Sequence, residues 1–188
     1  CVTYSDAEGE HKIESSNILL CVGRKPNLEG IEALNLEPYR NGIKVDTHMR
    51  TSASNVWAAG DVTAFSLLAH TAIREGQVAV NDMLGIDDEM EYNAIPGVIY
   101  SSPEVAGCGA TEDALKQEGK EYEVHKLAMT HSGRFVAENE GGNGLCKILT
   151  NKEKQIIGMH FIGNPASEMI SCACIAISAR MTVDQLQK

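Results

Sequence analysis

Thr51-Ser-Ala-Ser-Asn-Val-Trp-Ala-Ala-Gly-Asp-Val62 is the stretch on which the fold turns. Asn55 to Ala59 reads as a short buried strand, and Ala58-Ala59-Gly60 strips side-chain bulk from its carboxyl end. Glycine has no Cβ, so a ligand backbone or ring can approach there closely. Asp61 follows at once, at the strand end where open α/β sheets gather their ligands. A carboxylate in that place can accept hydrogen bonds from sugar or polyol hydroxyls. Six residues on, Leu67-Leu68-Ala69-His70 opens a helix. Its free N–H groups and positive dipole end favour negative charge on a bound ring. A lone Gly-Asp pair would read as a solvated turn, and a lone His70 as a surface histidine at a helix start; only the longer pattern reverses those readings.

Working upstream, Cys1 to Tyr4 and Lys12 to Val22 read as two strands joined around Asp6-Ala7-Glu8-Gly9. The run Ile18-Leu19-Leu20-Cys21-Val22, closed by Gly23, has the continuous apolar character of a strand buried on both faces. Its sheet partners must come from elsewhere. Gly42 to Val45 reads as a further strand. Downstream, Ser66 is placed to cap a helix over Leu67–Leu84, with an apolar stripe of Ala69, Ala72, Ile73, Gly76, Val80 and Met83. The acidic stretch Asp87 to Glu91 marks a boundary.

Beyond it the grammar changes. Val98 to Tyr100 and Tyr122 to Met129 read as strands, and Thr111 to Gly119 as a capped short helix. Gly144–Thr150 and Gln155–Ile162 form a hairpin around Asn151-Lys152-Glu153-Lys154. A helix starts at Pro165, with Ile170, Ala173, Cys174, Ile177 and Met181 on one face. Met169, Cys172 and Ala176 extend that surface, which predicts broad burial, in a core or an interface. Thr182-Val-Asp-Gln185 has the form of a capping box, and the chain stops barely two turns later, as if cut within an element.

The 188 residues are 43% hydrophobic and 22% charged, which excludes disorder, collagen-like sequence and coiled coil. Sixteen basic against 26 acidic residues give a net charge of -10, unsuited to nucleic acid or an anionic membrane. No apolar run approaches the roughly 20 residues that span a bilayer. No signal peptide is visible, and the chain opens at Cys1 instead of a methionine, as a fragment or processed product would. The six cysteines, Cys1, Cys21, Cys108, Cys146, Cys172 and Cys174, form no C-x-x-C pair and no convergent zinc set. They read as scattered buried thiols in a reducing compartment, with Cys172 and Cys174 pointing apart on their helix. His11, His48, His125, His131 and His160 match no catalytic position.

The 51–62 pattern resembles the second flavin-binding motif of the two-dinucleotide-binding-domain disulfide oxidoreductases. Cys21-Val-Gly-Arg-Lys-Pro-Asn27 is similar to the segment where that family leaves its NAD domain. Leu68-Ala69-His70 with Glu75-Gly76, then Ser102-Pro-Glu-Val-Ala-Gly-Cys-Gly-Ala-Thr-Glu112, resemble the dihydrolipoamide dehydrogenase branch. Gly144-Leu-Cys-Lys-Ile-Leu149, Ile157-Gly-Met-His-Phe-Ile-Gly163 and Glu168-Met-Ile170 continue the likeness. Mercuric and glutathione reductases fit these segments less well.

The resemblance implies an α/β fold, the remnant of a three-layer FAD/NAD-binding domain, followed by an α+β interface domain. Residues 1–24 would end the NAD-binding domain, 25–93 complete the FAD-binding domain, and 94–188 form the interface domain, truncated at its carboxyl end. It also implies cofactor contacts. Gly60 and Asp61 would meet the flavin's ribityl chain, Leu67, Leu68, Ala69 and His70 its pyrimidine edge, and Gly23 the nicotinamide nucleotide. The parent activity would be oxidation of dihydrolipoamide, with electrons passing through a disulfide and FAD to NAD. Its partners would be a second copy and the lipoyl domains and acyltransferase core of a 2-oxoacid dehydrogenase complex or glycine cleavage system, in the cytoplasm. The redox cysteine pair, the glycine loops for FAD and NAD, and the terminal histidine base are missing from residues 1–188. The expectation is therefore an inactive chain with no catalytic residue, no metal and no bound cofactor, able to serve as a dimerisation module.

Overall fold

The computed structural model describes residues 1–188, which divide into two compact units, Cys1–Asp88 and Glu89–Lys188. The first unit opens with an antiparallel hairpin, β1 (Val2–Asp6) and β2 (Gly9–Ile13), paired from Val2 with Ile13 to Asp6 with Gly9. Local contacts hold it. Tyr4 stacks on His11, the His11 Nε2 lies 3.0 Å from an Asp6 carboxylate oxygen, and the Glu8 N–H donates to that same oxygen.

The expected strand Ile18–Val22 is not formed. Leu19, Leu20 and Val22 are 88%, 77% and 84% exposed, in a segment without regular structure. A strand is stabilised only when a neighbour takes up its N–H and C=O groups, and residues 1–88 supply no such neighbour.

β3 (Pro38–Tyr39) and β4 (Gly42–Ile43) form a minimal hairpin. The expected strand at Gly42–Val45 is thus cut to two residues, and that at Asn55–Ala59 to a single bridge between Arg50 and Trp57. Polar side chains divert this backbone into turns. Asp46 accepts the N–H groups of His48 and Arg50, and the Thr51 hydroxyl donates to the Val56 carbonyl.

Helix α1 spans Ala69–Met83. Ser66 does not cap it; its hydroxyl donates to the Thr71 hydroxyl at 3.0 Å, and Leu68 is the capping residue without a side-chain bond. The buried face also differs from the expected stripe. Thr71, Glu75, Val78 and Ala79 are buried, while Ile73, Val80 and Met83 are exposed. Helical spacing identifies a face, but its burial depends on what packs there.

The second unit is a five-stranded antiparallel sheet. Its strands are β5 (Pro96–Ile99), β6 (Val105–Gly109), β7 (Glu123–Ala128), β8 (Leu145–Thr150) and β9 (Ile156–Ile162), in the order β5-β6-β9-β8-β7. The β8–β9 hairpin is as expected, while β6, the glycine-rich Val-Ala-Gly-Cys-Gly, was hidden by its composition. Between the strands lie α2 (Glu112–Gln117), whose cap Thr111 accepts the Ala114 N–H, and α3 (Gly133–Glu138), capped by Ser132 and not foreseen.

Helix α4 (Ala166–Ser178) packs on β6 and β9. Ala166, Ile170, Ala173, Ala176 and Ile177 meet Ala106, Cys108, Ile156, Met159 and Phe161 in one core. Alanines at the contact bring helix and sheet close. The opposite face, with Cys172 and Ile175, is exposed in the single chain. Glu104 ties the helix start to the sheet by accepting the Ser167 N–H at 2.9 Å, which lowers the pKa of its carboxyl. The last helix, α5 (Val183–Leu186), carries the expected Thr182–Gln185 capping box.

Candidate functional site

Gly60 and Asp61 sit on a tight turn that is fixed from several directions. Gly60 has φ 83° and ψ -157°, a conformation open in practice only to glycine. Its N–H donates to a carboxylate oxygen of Glu75, a fully buried residue in the second turn of α1. Its carbonyl accepts from the Thr63 N–H at 2.9 Å and the Thr63 hydroxyl at 3.0 Å, closing a 3-10 turn over Asp61–Thr63. A Cβ on Gly60 would lie 3.4 Å from that of Ala72, so the turn rests against the first turn of α1.

β4 closes the turn from another direction. A Cβ at Gly42 would run into the Val62 carbonyl and the Ala64 side chain. The stacked rings of Tyr39 and Phe65, 4.6 Å apart, and the Arg40 bond to the Ala64 carbonyl at 3.4 Å hold the following residues. None of these supports involves the Asp61 side chain, whose carboxylate is exposed and bonded to no residue of the chain. Leu67, Leu68, Ala69 and His70 are also exposed. The result is a carboxylate and an uncovered apolar ledge at the two ends of one six-residue connection, with the uncapped N-terminus of α1 at the second end.

Six of the seven cofactor-contact residues expected from sequence therefore belong to this turn and the helix start. Gly23 does not join them. It adopts φ 84° in the irregular segment, and nothing lies within 4 Å of where its Cβ would stand. The part played by Glu75 was missed, because the apolar stripe assigned to α1 placed it on the solvent side. An acid one turn beyond Thr71 and next to Gly76 was the available signal.

The rest of the motif anchors the turn to the far end of α1. Trp57 Nε1 donates to Asp82 at 2.8 Å, and Arg50 Nε donates to the same carboxylate oxygen at 2.7 Å. Arg74 and Asn81 both donate to Asp88. The Arg50 hydrogen bond, helped by the Trp57 indole, holds the Asp82 carboxyl below the usual carboxylate range. A pKa lowered by folding contributes stability that is present above the unfolded value of about 3.9 and lost as pH falls through the folded one. Arg50→Gln is therefore expected to raise the pH at which this unit acid-unfolds, read by circular dichroism on descending pH. An unchanged midpoint would dissociate Asp82 from acid stability.

The cysteines depart from the expected buried set. All six are free; Cys1, Cys21 and Cys172 are exposed, Cys146 and Cys174 half-buried, and only Cys108 is buried. No helix is long and apolar enough to cross a membrane.

Comparison with known proteins identifies the family. Residues 2–80 match the family model described as pyridine nucleotide-disulphide oxidoreductase, and residues 95–188 match that family's dimerisation domain. Dihydrolipoyl dehydrogenase 3 of Pseudomonas putida is 34% identical over 177 residues, covering 93% of this chain and 38% of the relative. The mitochondrial dihydrolipoyl dehydrogenase of Sus scrofa is 40% identical over 164 residues, covering 85% of this chain and 32% of its own length. The crystal structure of LpdA from Mycobacterium tuberculosis superposes with a TM-score of 0.83 at 26% identity, covering 97% of this chain and 40% of that one. The chain thus spans well under half the length of these proteins. Its two matched segments carry the same family description, and the chain belongs to the pyridine nucleotide-disulphide oxidoreductases, with residues 95–188 as the dimerisation domain.

Proposed function

We propose that this chain is part of a dihydrolipoyl dehydrogenase and contributes one side of its flavin site and its dimer-forming domain. The observation that carries the reading is the Asp61 carboxylate, exposed and unpaired on a turn whose backbone is held by Glu75, Thr63 and β4. FAD, when bound, supplies the two-electron acceptor between a dithiol and NAD. The role of the chain is to bind and orient. Asp61 accepts hydrogen bonds from the ribityl hydroxyls, and Gly60 leaves room for their approach. Leu67 and Leu68 exclude water from the ring edge beside Ala69 and His70. The first N–H groups of α1 favour negative charge there.

In this reading residues 1–24 end an NAD-binding domain in which Gly23 meets the nicotinamide nucleotide, 25–93 complete an FAD-binding domain, and 94–188 pair with a second copy. The whole protein would be a cytoplasmic homodimer serving lipoyl domains of a 2-oxoacid dehydrogenase complex or glycine cleavage system. The redox dithiol, the nucleotide-binding glycine loops and the histidine base would lie in sequence outside residues 1–188. The identities of 34% and 40% to dihydrolipoyl dehydrogenases support this over other disulfide reductases.

The test is flavin content and NADH–lipoamide turnover. The 188-residue chain alone is expected to purify without flavin colour or activity, since it holds no Gly-x-Gly-x-x-Gly loop. In the full-length protein, Asp61→Ala is expected to weaken FAD retention by about 10- to 100-fold, the worth of a charge-assisted hydrogen bond to a buried ligand. Activity should fall in proportion to flavin lost. Unchanged flavin content would remove Asp61 from the site, and a yellow 188-residue chain would show that the site needs nothing more.

A further inference from the structure

Cys108 and Cys174 are 66 positions apart in sequence, yet their Sγ atoms lie 3.5 Å apart, with the Cys174 thiol donating to Cys108. Cys108 belongs to β6, paired with Pro96 of β5 on one side and Met159 of β9 on the other. Cys174 belongs to α4, which is tied to the sheet at both ends. Glu104 accepts the Ser167 N–H at its start, and the Ile156 N–H bonds the Met181 carbonyl beyond its end. Neither thiol sits on a loop. The scaffold holds the two sulfurs in van der Waals contact, about 1.5 Å from bonding distance.

We propose that Cys108 and Cys174 are an oxidisable dithiol, closed by a hydroperoxide into a disulfide that joins β6 to α4. The two sulfurs have unequal environments, which assigns their roles. Cys108 is 2% exposed, and burial, followed by the hydrogen bond with Cys174, pushes its thiol up to about 12. A thiol so placed is a poor first nucleophile. Cys174 is half-buried and the more accessible of the two. Its thiolate attacks the terminal peroxide oxygen, the O–O bond breaks, and the leaving alkoxide or hydroxide takes up the proton the Cys174 thiol gave up and departs as alcohol or water, leaving a sulfenic acid on Cys174. Cys108 then attacks that sulfur, the S–O bond breaks, and the hydroxyl departs as water with the Cys108 proton. Two thiols and one hydroperoxide become one disulfide, one alcohol (or water) and one water; the thiols are oxidised by two electrons and the peroxide is reduced by two. The product staples the central strand to the helix that covers it. This inference is independent of the flavin assignment.

The test is mass spectrometry of the full chain treated with hydrogen peroxide while folded, then denatured and alkylated. The expected result is a loss of about 2 Da with two fewer alkylated thiols. Tryptic digestion should yield a cross-linked pair spanning Glu75–Lys116 and Gln155–Arg180. Because Cys172 shares the second peptide, the digest is repeated on Cys172→Ser, which should retain the cross-link. Cys108→Ser should leave Cys174 as a sulfenic acid that a dimedone probe captures. The native protein, once oxidised, should melt at least about 4 °C higher than when reduced. Dimedone capture or over-oxidation of Cys174 in the native chain, with no cross-link, would overturn the proposal. So would a cross-link to Cys146 or Cys172 instead.

Discussion

Replacing Gly158 with alanine is expected to destabilise the second unit by about 3 kcal/mol or more, a large cost for overpacking a core. Gly158 lies on β9, opposite Gly109 of β6 and Leu149 of β8. A Cβ there would run into the Ala110 carbonyl oxygen, with the carbonyl carbon at 3.2 Å and the nitrogen at 3.3 Å. All three atoms are backbone, and that backbone is pinned. The Ala110 N–H donates to the Ile157 carbonyl at 2.7 Å, and His160 Nε2 lies 2.9 Å from the Ala110 oxygen. No flexible side chain can yield, so strands β6 and β9 must part. The melting temperature should fall by roughly 6 °C or more, followed by circular dichroism. Gly133→Ala is the control, since nothing lies within 4 Å of a Cβ at that position, at the start of α3. If the two variants melt alike, the close approach at Gly158 is not a feature of the folded protein.

Glu75→Leu is expected to cost the first unit about 2–3 kcal/mol, as is usual when a buried donor loses its acceptor. The carboxylate, fully buried, takes the N–H of Gly60, itself buried. Leucine of similar size fills the space but leaves that donor unsatisfied, at a residue whose backbone conformation is open in practice only to glycine. Glu75→Gln keeps an acceptor oxygen and should recover most of the loss. Denaturant unfolding of the three proteins measures the contrast, and equal losses in the two variants would mean that packing alone matters at this site. In full-length protein the leucine variant should also lose flavin, because Asp61 follows Gly60 directly.

What could be read from the chain alone follows from the range of each signal. The Thr111 and Thr182 helix starts and the β8–β9 hairpin rest on residues within a few positions of one another, and they formed as expected, whereas α4 begins at Ala166 with Pro165 as its cap and not as its first helical residue. The Gly60–Asp61 turn was legible only in part, since Thr63 lies three residues on but Glu75, which takes the Gly60 N–H, lies 15 positions away. Strand β6 was not, because a Val-Ala-Gly-Cys-Gly run has little strand propensity and becomes a strand only between β5 and β9.

By itself the sequence determined the helix starts at Thr111 and Thr182 and where the β8–β9 hairpin turns, all being consequences of backbone preference and nearby hydrogen bonds. Only the tertiary structure decided that α1 buries Thr71 and Glu75 in place of its apolar stripe, that Ile18–Val22 stays unpaired, and that two cysteines 66 residues apart touch. Burial, strand pairing and sulfur–sulfur contact belong to pairs of surfaces, and a surface has no partner until the chain has folded back upon itself.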